Sequence, residues 1–69
     1  MHHIACMHAR ELKAEMKKAG LDARGLAAAT GIHMSLVGRY LRGEVAIGAR
    51  NAVKVAAALK VTVERVLYD

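Results

Sequence analysis

The sequence contains no proline, no tryptophan and no phenylalanine, and two tyrosines make up its whole aromatic complement. Strands favour aromatic and β-branched residues, so this shortage argues against a β-sandwich or barrel. One cysteine, Cys6, excludes an internal disulfide framework and points to a reducing cytoplasm. No apolar run approaches the ~18 residues that a membrane-spanning helix requires. Met1–Arg10 lacks both the basic start and the long apolar stretch of a secretory signal. Acidic residues are also scarce, 6 against 11 Lys and Arg, and the net charge of +5 attracts polyanions, either nucleic acid or an anionic membrane. Paired carboxylates, a Ser-His-Asp set and a phosphate-cradling glycine loop are all missing, which speaks against an enzyme. No cofactor, metal or small-molecule substrate is expected.

What is present is alanine, leucine, valine, isoleucine and methionine in a 69-residue chain that is 55% hydrophobic. Such residues suit several short helices packed into one domain. Residues 9–69 read as that domain. Residues 1–8 read as a leader, either loose or extending the first helix. Its His2, His3, Cys6 and His8 are four potential metal ligands in close succession. A terminus with nothing behind it makes a poor cage, so metal binding is not the favoured reading.

Five helices are expected. The first covers residues 9–19, with Leu12 and Met16 one turn apart, Ala9 and Ala19 on a similar face, and Gly20 as its left-handed end. Asp22 caps the second, Ala23–Thr30, which buries Leu26 and Ala27. Gly31 makes a tight turn into a third helix of about His33 to Leu41. There Val37, Tyr40 and Leu41 face inward, and Met34, Ser35, Gly38, Arg39 and Arg42 face outward. Ala49–Leu59 forms the fourth, with Ala52, Val53, Ala56, Ala57 and Leu59 as its apolar contacts. Thr62 caps a short fifth helix with an apolar face of Val63, Val66 and Leu67.

The segment from Ala23 to Gly43 has the spacing of a helix-turn-helix. Two short helices that cross steeply need a small residue at their closest approach, Ala27. They also need a residue tolerant of positive φ at the turn, Gly31, and a branched apolar residue to lock the corner, Val37. From Leu12 to Leu67 the chain resembles the lambda-repressor/Cro-like helix-turn-helix family. The stretches Gly20-Leu21-Asp22, Leu26-Ala27, Thr30-Gly31-Ile32, Arg42-Gly43, Ala56–Leu59 and Lys60–Leu67 fall in that family's order and spacing.

The resemblance implies an all-α, compact five-helix fold, binding of double-stranded DNA as a homodimer on a palindromic operator, and transcriptional repression. A phage, plasmid or bacterial regulatory locus would be its setting, and the cytoplasm its location. Some positions depart from the family's pattern. Ala23 stands where a phosphate-contacting glutamine is common, and Arg24 is the nearest replacement. His33 stands where serine or threonine usually caps the recognition helix. Met16 and Leu41 occupy the positions of a frequent internal Arg–Glu pair, and both have become apolar together. Ala46 replaces a common loop proline.

Docking of this kind places the start of the third helix against base edges, here His33, Met34, Ser35 and Arg39. Arg39 leads, because a guanidinium can hold guanine O6 and N7 together. Arg24, Arg42, Arg50 and Asn51, with amides at the start of the fourth helix, are the phosphate candidates. Tyr40 reads as core rather than as a stacking residue. Val45, Ile47, Val63, Val66 and Tyr68 form the candidate dimer surface, although Val63, Val66 and Leu67 suit a core equally well. A DNA-binding antitoxin and a protein-interaction module that keeps the fold are the alternatives. The acid-free stretch from Ala23 to Gly43 disfavours the second of these.

Overall fold

Apolar residues at helical spacing, punctuated by glycines and capping side chains, produce five consecutive helices in the computed structural model, which describes residues 7–67. They are α1 (Ala9–Ala19), α2 (Ala23–Thr30), α3 (Met34–Leu41), α4 (Ala49–Leu59) and α5 (Val63–Leu67). No strand occurs among the described residues. His2, His3, Cys6 and Tyr68 lie outside them, so the grouping of metal ligands is represented only by His8.

The helix ends follow local chemistry. His8 is extended, with φ −65° and ψ 152°, and its backbone N–H donates to the Glu11 carboxylate at 3.4 Å, so α1 starts at Ala9. Asp22 Oδ1 accepts from the Gly25 amide at 2.7 Å and caps α2 as expected. The Thr30 hydroxyl donates to the Leu26 carbonyl at 2.8 Å and accepts from the Ile32 amide at 3.2 Å. It thereby satisfies backbone groups on both sides of the Gly31 turn, where φ is 75°. Thr62 Oγ1 accepts from the Arg65 amide at 3.2 Å and caps α5.

Each helix contributes one large, fully buried aliphatic side chain to the centre: Leu12, Leu26, Val37, Val55 and Val66. Burying each stabilises the fold by about 1.5–3 kcal/mol before ordering costs are counted. Met16 is buried and Leu41 packs against the same cluster, so both positions of the family's usual ion pair are apolar here. Met7 is also a core residue, and its amide donates to the Val66 carbonyl at 2.7 Å. The packed domain therefore begins before Ala9, and Met7 does not belong to a loose leader.

Three expectations change. On α4 the buried row is Ala52, Val55, Ala56 and Leu59, whereas Val53 is 54% exposed and Ala57 is also exposed. The row Ala52, Val55, Ala56, Leu59 follows the i, i+3, i+4, i+7 pattern of one helix face, and Val53 lies off it. On α1, Ala19 is exposed while Glu15 is buried. Glu15 Oε2 accepts from Arg65 Nη2 at 2.6 Å and lies 3.7 Å from Lys18 Nζ, which joins α1 to α5. Finally, Ile47 is 4% exposed and Val66 0%, so both belong to the core and neither offers its side chain to a dimer partner. Ile47 points inward from the loop before α4 and Val66 from α5, each filling space that would otherwise be a void.

Candidate nucleic-acid interface

The turn at Gly31 sends the chain from α2 into α3 and sets which side of α3 faces solvent. Val37 and Tyr40 are buried, and Leu36 and Leu41 are half-buried against the core. At 100° per residue, Met34, Ser35, Gly38, Arg39 and Arg42 fall within the opposite arc. Met34, Ser35, Arg39 and Arg42 are exposed, as is His33 just before them. Met34, Ser35 and Arg39 therefore lie together on one outward face, with His33 exposed at its head.

His33 caps α3 with its ring. Nδ1 accepts from the Ser35 backbone amide at 3.1 Å and lies 2.8 Å from Ser35 Oγ. The ring does what a serine or threonine hydroxyl would do there, satisfying an orphan amide of the first turn. With Nδ1 accepting, the ring hydrogen sits on Nε2, which leaves a donor for an outside acceptor.

The far end of α3 closes in a double-bonded turn. Gly43, at φ 74°, donates to the Tyr40 carbonyl at 3.1 Å, and Glu44 donates to the Arg39 carbonyl at 2.9 Å. This turn brings the Glu44 side chain back to the arginines of α3. Arg42 Nε donates to Glu44 Oε2 at 2.6 Å, and Arg39 Nε lies 3.6 Å from Glu44 Oε1. The hydrogen bond and charge of Glu44 raise the Arg42 pKa further above its usual value. Arg42 in turn holds the Glu44 carboxyl below the usual carboxylate range, chiefly through that hydrogen bond, and Arg39 adds to the effect.

Two of the phosphate candidates, Arg24 near the start of α2 and Arg50 in the first turn of α4, are exposed. Gly48 begins α4 without a side-chain cap, so the first amides of that helix have no side-chain acceptor at the cap. Asn51 is differently placed. Its Nδ2 donates to the Tyr40 hydroxyl at 2.9 Å in a partly buried bond, which braces α4 against the inner face of α3. A second amide hydrogen remains on that nitrogen. Of the dimer candidates, Val45 and Val63 are half-buried and retain some surface, as does Leu67.

Residues 12–66 match the family model HTH_3, described as helix-turn-helix. The chain belongs to this HTH_3 helix-turn-helix family. The lambda-repressor/Cro-like resemblance and the five-helix fold are thus both borne out. The HTH_3 domain is also similar to the crystal structure of an HTH_3 family transcriptional regulator from Vibrio cholerae, with a TM-score of 0.72 and 28% identity. The match covers 83% of this chain and 32% of that one, so the chain spans about a third of that protein's length. No curated protein sequence matches the chain.

Sequence reasoning missed two contributors to this HTH_3 surface. Glu44 belongs to no motif, although it is the sole acidic residue from Ala23 to Val63 and stands two positions after Arg42. The glycine before it, a left-handed helix end, was the signal that its side chain would turn back to α3. The Asn51–Tyr40 brace had no such signal, because it joins residues 11 positions apart across two helices.

Proposed function

We propose that this HTH_3 domain is a sequence-specific DNA-binding transcriptional regulator, acting as a repressor, with α3 lying in the major groove. The carrying observation is the outward arc of α3, where Ser35 and Arg39 lie one turn apart, with Arg42 on the following turn and His33 at the head. A helix of this size and polarity fits a groove about 12 Å wide, and its side chains match the donor and acceptor pattern of base edges. The printed role of the similar Vibrio cholerae protein, a transcriptional regulator, supports the same reading.

In this reading Arg39 takes guanine O6 and N7, His33 and Ser35 contact neighbouring edges, and Met34 packs on a thymine methyl. Arg24, Arg42 and Arg50 contact phosphates together with the first amides of α4, and Asn51 contributes its remaining amide hydrogen. Two copies bind a palindromic operator, and Val45 and Val63, with the exposed Val53, offer the apolar surface for pairing.

Selection from a random-sequence duplex library tests this directly. The expected product is an inverted repeat with half-sites about one helical turn, ~34–36 Å, apart. Its affinity should fall steeply with added salt. A library that shows no enrichment, or binding indifferent to salt, would overturn the proposal.

A further inference from the structure

Glu44 stands out against its surroundings. Residues 23–63 contain Arg24, Arg39, Arg42, Arg50, Lys54 and Lys60 and no other acid. The backbone decides where this single carboxylate goes. The bonds from Gly43 to Tyr40 and from Glu44 to Arg39 fix the turn, and Glu44 emerges from it beside the last turn of α3. Its two oxygens are divided between two arginines, Oε2 to Arg42 at 2.6 Å and Oε1 to Arg39 at 3.6 Å. Gly38 leaves room for this arrangement, because a Cβ there would stand 3.2 Å from Arg42 Nη1. Arg42 thus lies back across the outward face of α3.

Both arginines approach the carboxylate through Nε. A guanidinium has five N–H donors, so engaging Nε leaves most of them, on the terminal nitrogens, for a base or a phosphate. All three side chains are about half exposed, between 47% and 60%. Ion pairs in such positions add little to stability. What the arrangement does change is the freedom of the two arginines and the charge that they present together.

We propose that Glu44 is a positioning residue that raises DNA sequence specificity by bridging the Nε sides of Arg39 and Arg42, and that it also cancels part of their charge. Non-specific binding rests on phosphate attraction, which the carboxylate weakens for every sequence. Base readout rests on the orientation of Arg39, which the bridge holds before DNA arrives. The charge effect lowers both affinities alike, so the ratio of specific to non-specific affinity turns on the orientation of Arg39. This inference rests on the proposal that α3 binds duplex DNA.

The test uses the full chain, as wild type, Glu44→Gln and Glu44→Ala, with helical circular dichroism confirming that each is folded. A random duplex library selected with the wild type supplies the preferred duplex, and a scrambled duplex of equal composition is the comparison. Both variants should bind the scrambled duplex several-fold more tightly and the preferred duplex no more tightly, so that the specificity ratio falls several-fold. The slope of log affinity against log salt should steepen by about 0.9, equivalent to one added phosphate contact. Library selection with the variants should also show relaxed preference at one base pair of each half-site. An unchanged ratio, or an equal rise on both duplexes, overturns the role of Glu44 while leaving DNA binding by α3 intact. A wild type that binds neither duplex overturns both.

Discussion

Asn51 Nδ2 donates to the Tyr40 hydroxyl across 2.9 Å and ties the first turn of α4 to the inner side of α3. Tyr40 is otherwise a buried core residue, so its hydroxyl is the polar end of an apolar side chain and needs a partner. The bond also fixes how the amides and arginine of α4 stand relative to the outward face of α3. Tyr40→Phe should cost about 0.5–1.5 kcal/mol, the usual net value of such a bond. Thermal unfolding should show this as a fall of several degrees, at roughly 4–8 °C per kcal/mol for a domain of this size. An unchanged melting temperature would mean that water replaces the brace at no cost.

Glu15 and Arg65 form a second side-chain link between distant elements. Glu15 is buried on α1, and Arg65 on α5 is half exposed. Removing the arginine leaves a buried carboxylate with only Lys18, at 3.7 Å, to compensate. Arg65→Ala should therefore destabilise by about 1–2 kcal/mol, above a typical surface pair and below a fully buried one. Glu15→Gln should cost less, because it strands no charge. Chemical denaturation of the two single variants and the double variant measures the coupling. A double-mutant cycle with no coupling would rule out the pair as a link between the helices.

Lys60 ends α4 at φ 60°, a left-handed conformation that side chains disfavour. Its amide and that of Val61 donate to the Ala57 and Ala56 carbonyls at 3.3 and 3.0 Å, so the turn is held by the helix end itself. Glycine relieves the steric cost of this conformation, about 1–2 kcal/mol, but loses more chain entropy on folding. Lys60→Gly should be net stabilising by about 0.5–1 kcal/mol, read as a higher midpoint in urea. A lower midpoint would show that the lysine side chain supplies packing that outweighs the strain.

The Glu44 bridge has a defined pH dependence. The folded-state carboxyl lies below its ordinary range because Arg42 donates to it and both arginine charges stand beside it. A carboxyl lowered in this way contributes fully above its unfolded-state value and loses its effect as pH falls through the lower folded value. The difference in specificity ratio between wild type and Glu44→Gln should accordingly stay constant through neutral pH and shrink only on acidification below the ordinary carboxylate range. Competition binding at stepped pH measures it. A difference that already shrinks near neutrality would contradict the bridge.

Local features were legible in the sequence. Asp22 and Thr62 as caps, Gly20 and Gly31 as turns, and Val37 as the corner residue each depend on neighbours a few positions away. The exposed set His33, Met34, Ser35, Arg39 and Arg42 was legible for the same reason, since the inward face of α3 is marked by Val37 and Tyr40. The register of α4 was not. Ala52, Val53, Val55, Ala56, Ala57, Ala58 and Leu59 are apolar at nearly every position, so periodicity does not choose between Val53 and Val55. Ile47 and Val66 show a different limit, because an apolar residue near a loop or on a short helix suits a core and a partner surface equally. The Glu15–Arg65 pair spans 50 positions, and no local pattern joins its members.

The central claim is that the outward face of α3 reads base pairs, with Arg39 as its principal reader. It is tested most directly by selecting random duplexes with wild type and Arg39→Ala in parallel. The variant should bind the wild-type sequence about 1–3 kcal/mol more weakly and lose preference at one base pair per half-site, with preference elsewhere retained. Identical selected sequences from the two proteins would contradict it.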